Sequence, residues 1–254
     1  MTLSFQVDGR HVAVADDGAS LLEVLRDRLG LRSAKDGCSP QGQCGCCTVL
    51  VDGQPRVACV TPARRVAGRR VTTLEGLPEQ DLATWAGAFV AAGASQCGFC
   101  TPGIIVRLAA LRAAGGRDVD SALLAHLCRC TGWLGIKEAF AAVVEGPGGG
   151  PGPAAPRDLD AARLRALLEG GSDQEVGEEV ALGRGRFADD TAPEDALVAV
   201  PDGRGGWAVG ETLTEARARA GKVQGRRSTV ALTHPLDLPP GSWDVALRTT
   251  WVEP

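Results

Sequence analysis

The cysteines constrain this 254-residue chain most, because all nine lie at or before Cys130 and four fall within one short stretch, CSPQGQCGCC at 38–47. The chain starts MTLSFQVDGRHVAV, which lacks the basic and apolar regions of a secretion signal. An odd number of tightly grouped cysteines in a reducing compartment favours metal ligation, whereas a secreted disulfide framework spreads its pairs along the fold. We therefore expect metal sites in a cytoplasmic protein.

Composition narrows the class of protein. Hydrophobic residues make up 44% of the chain, and its longest weakly polar run, LATWAGAFVAAGA, is too short to cross a bilayer. The net charge of -4 argues against a nucleic-acid surface, because phosphate binding needs clustered positive charge. We expect a soluble chain that binds neither membrane nor nucleic acid.

Local signals predict an α+β domain over residues 1–77 and a helical domain over 78–145. LSFQVDGRHVAVA and TVLVDGQPRVACV each alternate around a DG turn, which predicts two hairpins. Between them, Ser20 and Glu23 form a capping box ahead of LLEVLRDRL, which predicts a helix. From 78 onward the spacing becomes that of four short helices with glycine-containing breaks, so we predict a helical bundle there.

The rest of the chain is predicted to contain a linker and a third domain. GPGGGPGPAAP, at 146–156, cannot form a regular element and is typical of a linker. Residues 157–254 contain two helical segments, LDAARLRALLEGG and ETLTEARARAGKV, with short strand candidates between them. This pattern predicts a small α+β domain.

The first group of cysteines has the number and spacing of an iron–sulfur site. Cys38, Cys44 and Cys47 lie on one loop, and Cys59 lies on a later strand. Four thiolates are what a [2Fe-2S] cluster requires, and C-x2-C with a distant fourth cysteine is the spacing of plant-type ferredoxins. The loop glycines allow the chain to curl tightly and to point N–H groups at the sulfurs.

A second group combines Cys97 and Cys100 of QCGFCTPG with Cys128 and Cys130 of CRCTG. The first pair opens a predicted helix, whose N-terminal end favours thiolate, and the second pair falls at a break between two helices. Both pairs can face one point inside the bundle, which predicts a second [2Fe-2S] site.

Zinc and disulfides are the alternatives for both groups. The single residue within CRC and the five residues between Cys38 and Cys44 fit structural zinc knuckles poorly, so we favour iron–sulfur clusters.

The three histidines share no ligand spacing, and His126, on the apolar face of ALLAHLC, is interpreted as a packed residue near the second group. No serine nucleophile elbow occurs, and three aromatic residues are interpreted as core: Trp85, Phe99 and Trp133.

The order of the cysteine motifs resembles the iron–sulfur subunit of the molybdenum hydroxylases of the xanthine dehydrogenase and aldehyde oxidase family. The motifs are CGCCTV at 44–49, QCGFCTPG at 96–103 and CRCTG at 128–132. The resemblance implies a β-grasp, ferredoxin-like [2Fe-2S] domain followed by a four-helix [2Fe-2S] domain. It also implies that Gln96 and Cys130 lie near the molybdopterin of a partner chain, and that the first cluster faces the flavin of an FAD-binding partner.

The first loop departs from that family in two ways. The family usually has four residues between its first two cysteines and a small residue at the place of Cys46, whereas this chain has SPQGQ and a further thiol. The match to the family pattern favours Cys47 as the ligand. Cys46 is therefore interpreted as a spare thiol, and the inserted residue is expected to alter the path of the loop.

The third region resembles the α/β hammerhead domain that opens the large, molybdenum-binding subunit of the same family. The similar segments are LGRGRFADD and VGETLTEARARAGKV. This resemblance implies a fusion whose molybdopterin-binding loops and active-site glutamate come from a different chain. An unrelated small α+β domain, a truncated chain and a relic are the alternatives.

Together these features predict an electron-transfer subunit of a hetero-oligomeric molybdenum hydroxylase. Its two [2Fe-2S] clusters would relay single electrons from a molybdenum-binding large subunit to an FAD-binding subunit, and no substrate would be converted on this chain. A stand-alone ferredoxin-like carrier or redox sensor is one alternative, and a colourless, zinc-stabilised interaction module is another.

Overall fold

The computed structural model describes residues 2–38, 40–146, 158–170, 176–193 and 195–221. The predicted linker at 146–156 lies outside these residues apart from Gly146, and so does the chain after 221.

The first region forms a five-stranded mixed sheet in the order β2-β1-β5-β3-β4. The strands are β1 (Thr2–Val7), β2 (Arg10–Ala15), β3 (Thr48–Val51), β4 (Gln54–Val57) and β5 (Arg70–Thr72). Both predicted hairpins are confirmed, since β1 pairs antiparallel with β2 and β3 with β4, while β1 and β5 run parallel. This sheet, with a helix packed on it, is the predicted ferredoxin-like arrangement.

The two hairpin turns explain why the DG signal is reliable. In both turns the aspartate and the glycine have positive φ: Asp8 (50°) and Gly9 (78°), then Asp52 (49°) and Gly53 (78°). A two-residue turn with two left-handed residues matches the twist of the flanking strands, and aspartate and glycine tolerate that conformation. The sequence therefore determines the register of both hairpins locally.

The predicted helix between the hairpins is only partly regular. Helix α1 (Leu21–Glu23) begins as expected, because the Ser20 hydroxyl accepts a hydrogen bond from the Glu23 N–H at 3.2 Å. It continues as a π-helical segment over Val24–Arg28, in which the Leu29 N–H reaches back to the Val24 carbonyl. In a capping box the Glu23 carboxylate would accept a hydrogen bond from the Ser20 backbone N–H. Here it accepts hydrogen bonds from Arg28 and from Thr214 of the third region instead.

The second region contains the four predicted helices. They are α2 (Glu79–Ala91), α3 (Thr101–Ala113), α4 (Val119–Leu123) and α5 (Leu134–Glu145). Trp85 packs between Phe89 and Phe140, with ring centroids 6.3 and 6.2 Å away. The same buried cluster contains Cys44 and Cys46 of the first loop. Part of the first loop therefore packs into the core of the helical region, while the sheet region has a second core of its own.

The third region contains both predicted helices and one short hairpin. Its elements are α6 (Leu159–Leu168), α7 (Glu178–Ala181), α8 (Ala188–Thr191), β6 (Val198–Pro201), β7 (Trp207–Gly210) and α9 (Leu213–Ala220). Strands β6 and β7 pair antiparallel, and α9 packs on them. No helix within the described ranges is both long and apolar enough to cross a membrane.

Candidate metal centres

The first cysteine group gathers beside the sheet. Cys44, Cys47 and Cys59 are buried, and Cys38 is half-buried. The loop turns at Gly42 and Gly45, whose φ angles of 68° and 70° favour glycine. All four predicted ligands of this group therefore lie on one curled loop and the short 3-10 turn at Ala58–Val60 that follows β4.

Hydrogen bonds to sulfur organise this first group. The Gln41 N–H donates to Cys38 Sγ at 3.1 Å, and the Cys59 N–H donates to Cys47 Sγ at 3.4 Å. Interaction with the nearby Cys46 side chain lowers the pKa of Cys44 to about 5, and the Cys46 N–H and the Cys38 thiol lower it further. A hydrogen bond with Cys47 lowers the pKa of Cys59 to about 7 and raises that of Cys47. In each of these pairs the contact lowers the pKa of one sulfur, Cys44 or Cys59, and raises that of its neighbour, Cys46 or Cys47.

The second cysteine group forms two sulfur pairs at the N-terminal end of α3. Cys130 Sγ lies 3.5 Å from Cys97 Sγ. A hydrogen bond with Cys100 lowers the pKa of Cys128 to about 5, and the same contact raises the pKa of Cys100. Cys100 is the N-cap residue of α3, so this pair opens the helix as predicted, and Pro102 stands in its first turn.

The donor set suits a binuclear cluster better than a single ion. Four cysteines per [2Fe-2S] cluster provide two protein sulfurs for each iron, and the second group is already arranged as two pairs. In the described part of the chain, no three His, Cys, Asp or Glu side chains are grouped so that they could hold one metal ion. Backbone N–H groups that reach Cys38 and Cys47 are the donors that stabilise cluster sulfurs.

Comparison with known proteins agrees with this interpretation. Residues 5–70 match the family model of the 2Fe-2S iron-sulfur cluster binding domain, and residues 73–141 match that of the [2Fe-2S] binding domain. The chain is 36% identical over 151 residues to the nicotinate dehydrogenase small FeS subunit of Eubacterium barkeri, which covers 57% of this chain and 96% of that one. It is 40% identical over 120 residues to a probable xanthine dehydrogenase subunit of Bacillus subtilis, covering 46% and 69% respectively.

This chain belongs to the iron–sulfur subunits of the xanthine dehydrogenase family. Such subunits are components of oxidoreductases, and this one has two 2Fe-2S binding domains. Its fold is similar to the solved aldehyde oxidoreductase of Desulfovibrio desulfuricans, with a TM-score of 0.58 and 30% identity. That match covers 78% of this iron–sulfur subunit and 23% of the aldehyde oxidoreductase, so the chain spans about a quarter of that protein.

His126 is buried, as the sequence indicated, and it also reaches the first cysteine loop. It packs against the first loop of the iron–sulfur subunit, because a Cβ on Gly45 would overlap the His126 ring. Thr48 Oγ1 donates to the Gly45 carbonyl and accepts from His126 Nε2 at 3.1 Å. Burial lowers the pKa of His126 to about 4, and the charge of Arg107 adds to this. The neutral His126 ring therefore packs between the two cysteine loops. No local sequence pattern indicates this contact.

Cys46 and Cys47 face different parts of the iron–sulfur subunit. Cys47 belongs to the core of the sheet region, whereas Cys46 belongs to the core shared with the helices. The Cys46 thiol donates to the Cys44 carbonyl at 3.7 Å, and its own carbonyl accepts from the Lys35 N–H. Close packing continues across the junction, since a Cβ on Gly103 of α3 would lie 2.9 Å from the Cys46 carbonyl oxygen.

The remaining predicted site residues differ in exposure. Gln96 and Cys130 are exposed, which leaves them open to a partner. Trp85 is buried as predicted, and Phe99 and Trp133 are half-buried and pack against the same core. Phe99 lies between Cys97 and Cys100 and also contacts Phe187.

Proposed function

We propose that this chain is the electron relay of a molybdenum hydroxylase. One [2Fe-2S] cluster is held by Cys38, Cys44, Cys47 and Cys59, and the other by Cys97, Cys100, Cys128 and Cys130. Electrons pass one at a time from a molybdopterin site on a large subunit, through both clusters, to FAD on another subunit. The observation that carries the proposal is that sulfurs approach each other within both cysteine groups and that both groups contribute to one buried cluster, through Cys44 and Cys100.

The bound clusters supply the one-electron carriers, and the residues of this chain set their surroundings. Backbone N–H groups at Gln41 and Cys59 donate to cysteine sulfurs, which stabilises the reduced, more negative state of a cluster. Burial of Cys44 and Cys100 excludes water from the side where the two sites approach each other. The Leu127 N–H donates to the Cys44 carbonyl at 2.9 Å, so the loop before the second cysteine pair is bonded to the first loop.

The exposed side of the second site is the proposed contact with the molybdenum-binding subunit. Leu124, Leu127 and Leu134 are exposed and flank the loop that carries Cys130. Exposed leucines beside an exposed cysteine form the kind of apolar surface that a partner covers. Gln96, exposed next to Cys97, completes the proposed pterin-facing surface.

Two further parts of the proposal concern the rest of the chain. The cluster domains comprise residues 1–77 and 78–145, and a hetero-oligomer with an FAD-binding chain provides the electron acceptor for the first cluster. The third region is a hammerhead-like extension at the start of a large-subunit segment. This is supported by the structural match to aldehyde oxidoreductase, which covers more of the chain than the small FeS subunit of nicotinate dehydrogenase does.

Metal analysis tests the proposed function directly. We expect about four iron atoms and about four acid-labile sulfides per reconstituted chain, a red-brown colour, and two distinct [2Fe-2S] EPR signals after reduction. A colourless protein with tightly bound zinc, or a reduced protein with only one signal after full reconstitution, would contradict it.

A paired leucine experiment tests the proposed partner surface. Leu124 is 84% exposed beside the second site, and Leu168, on α6, is 79% exposed in the third region. We expect Leu124→Asp to reduce the molybdenum that co-purifies with the tagged chain from its native host by about tenfold or more, because a carboxylate in an apolar interface is left without a partner. The control, Leu168→Asp, should retain molybdenum, and both variants should retain iron. Equal retention by the two variants would place the partner elsewhere.

A further inference from the structure

The segment Gly177–Thr191 lies beyond both family-model matches, yet it packs against both cluster regions. We infer that this segment is a clamp that fixes the two cluster domains against each other and covers the loops that carry their cysteines. The inference rests on the proposed function in one respect, namely that these loops bind the clusters.

The strongest contact of the clamp is a carboxylate between two buried cations. Asp190 lies 2.5 Å from Lys35 Nζ and 3.0 Å from Arg26 Nη2. The side chains are 1% exposed for Lys35 and 10% exposed for Asp190. Arg26 also donates to the Ala34 carbonyl at 2.7 Å, and Lys35 donates to the Gly183 carbonyl at 3.0 Å. Because a buried charge without its partner is strongly unfavourable, the sheet domain depends on the clamp to pair these cations.

An aromatic contact places the clamp over both cysteine loops. The Phe187 ring meets the Phe99 ring edge to face, with centroids 4.9 Å apart and planes at 87°, and Lys35 Nζ lies 5.7 Å from the centre of the Phe187 ring. Phe99 in turn touches the first loop, since a Cβ on Gly37 would lie 3.1 Å from Phe99 Cε1. Phe187 therefore covers a side chain that links the two loops.

The backbone of the clamp is held between the two domains. A Cβ on Gly183 would lie 2.9 Å from Pro102 Cγ of the helical domain and 3.1 Å from Ser33 Cα of the sheet domain. A Cβ on Gly98, beside Cys97, would lie 2.5 Å from the Val180 carbonyl oxygen. Helix α7 also packs on α2. Small residues on both sides allow this close approach, so a shift of the clamp would move one domain relative to the other.

The clamp gives the LGRGRFADD segment a role within this chain. Asp190 and Phe187 of that segment contact Lys35 and Phe99, and these two residues lie next to the two cysteine loops. The relative position of the two cluster sites, and with it electron transfer between them, then depends on residues outside both cluster-binding domains.

The test compares adjacent aspartates in the full chain. Asp189 is 73% exposed and pairs with Arg26 at 2.5 Å but not with Lys35, so Asp189→Asn is the control that leaves both contacts of the buried Asp190 carboxylate in place. The rate of amide hydrogen exchange in the segments 33–37 and 97–99 reports how tightly the clamp covers the two cysteine loops. We expect Asp190→Asn to speed it by about tenfold or more and Asp189→Asn to change it by less than about twofold. With both clusters loaded and reduced, the dipolar splitting between their EPR signals should also change in Asp190→Asn alone.

Two controls keep the inference falsifiable. Phe187→Leu retains the charged contacts, removes the ring contact and should speed exchange at 97–99, so it provides the same test if Asp190→Asn does not fold. Wild-type exchange rates and unchanged splitting in both variants would overturn the clamp. Iron and sulfide analysis separates this result from the proposed function: missing clusters in the wild-type chain, with the expected exchange pattern, would defeat the relay and leave the clamp standing.

Discussion

Replacing Cys47 with serine is expected to abolish one of the two [2Fe-2S] EPR signals and about half of the bound iron, whereas replacing the adjacent Cys46 should leave both signals in place. Cys47 Sγ accepts the Cys59 N–H and lies in the core of the sheet domain beside Cys59. Cys46 faces the shared core, where its thiol donates to a backbone carbonyl. Cys47→Ser removes one of the four thiolates proposed to bind the first cluster. Cys46→Ser removes none of them and keeps a hydroxyl that can donate to the same backbone carbonyl.

The paired design also tests the register of the first loop. Because Cys46 and Cys44 share a hydrogen bond, Cys46 is the nearest candidate for an exchanged ligand. Retention of both signals in Cys47→Ser together with loss of one in Cys46→Ser would show that the register is shifted by one residue. Far-ultraviolet circular dichroism of both variants separates loss of a cluster from loss of the fold.

Replacing Gly45 with alanine is expected to cost about 3 kcal/mol or more of unfolding free energy. The residue has φ of 70°, which a side chain disfavours, and its new Cβ would lie 2.7 Å from the Ala125 carbonyl oxygen as well as overlapping the His126 ring. The strain falls on the junction between the two cysteine loops, so the relative position of the domains should be disturbed as well. Urea unfolding of the full chain, followed by circular dichroism, measures the loss.

Gly53 provides the matched control for Gly45. It has a similar φ of 78°, but a Cβ there would meet nothing within 4 Å. Gly53→Ala should therefore cost only about 1 kcal/mol, which is the conformational part alone. The difference between the two variants isolates the contact across the junction. Equal losses would mean that His126 and its loop move aside at little cost.

Local patterns were sufficient for most elements of the cluster-binding regions. The DG turns predicted both hairpins because aspartate and glycine accept the left-handed conformation that a tight turn needs. Helical spacing predicted the four helices between 78 and 145, and the assignment of eight cysteines to two quartets stays a prediction from their spacing. Each of these features depends on residues close together in the chain, where sequence and geometry are directly related.

The contacts that the sequence did not indicate share one cause. Glu23 was expected to cap its own helix, but its carboxylate binds Thr214, which is 191 residues away. His126 is packed near the second cysteine group as expected, but it also contacts Thr48, 78 residues earlier. Phe99 packs against the core as expected, but its ring also contacts Phe187. In each case the contact partner lies on a distant segment. The sequence pattern around the residue is the same with or without that partner, so it does not indicate the contact.

The sequence by itself determined the ferredoxin-like sheet, the helices that follow it and the places of the cysteine motifs along both, since turn chemistry, helical period and motif spacing are local properties. Only the tertiary structure decided that the third region folds back over both loops. The contacts of Asp190 with Lys35 and Arg26 span 155 and 164 residues of sequence. The sequence shows which residues are charged, but which of them are buried, and which pair with each other, depends on how the whole chain packs.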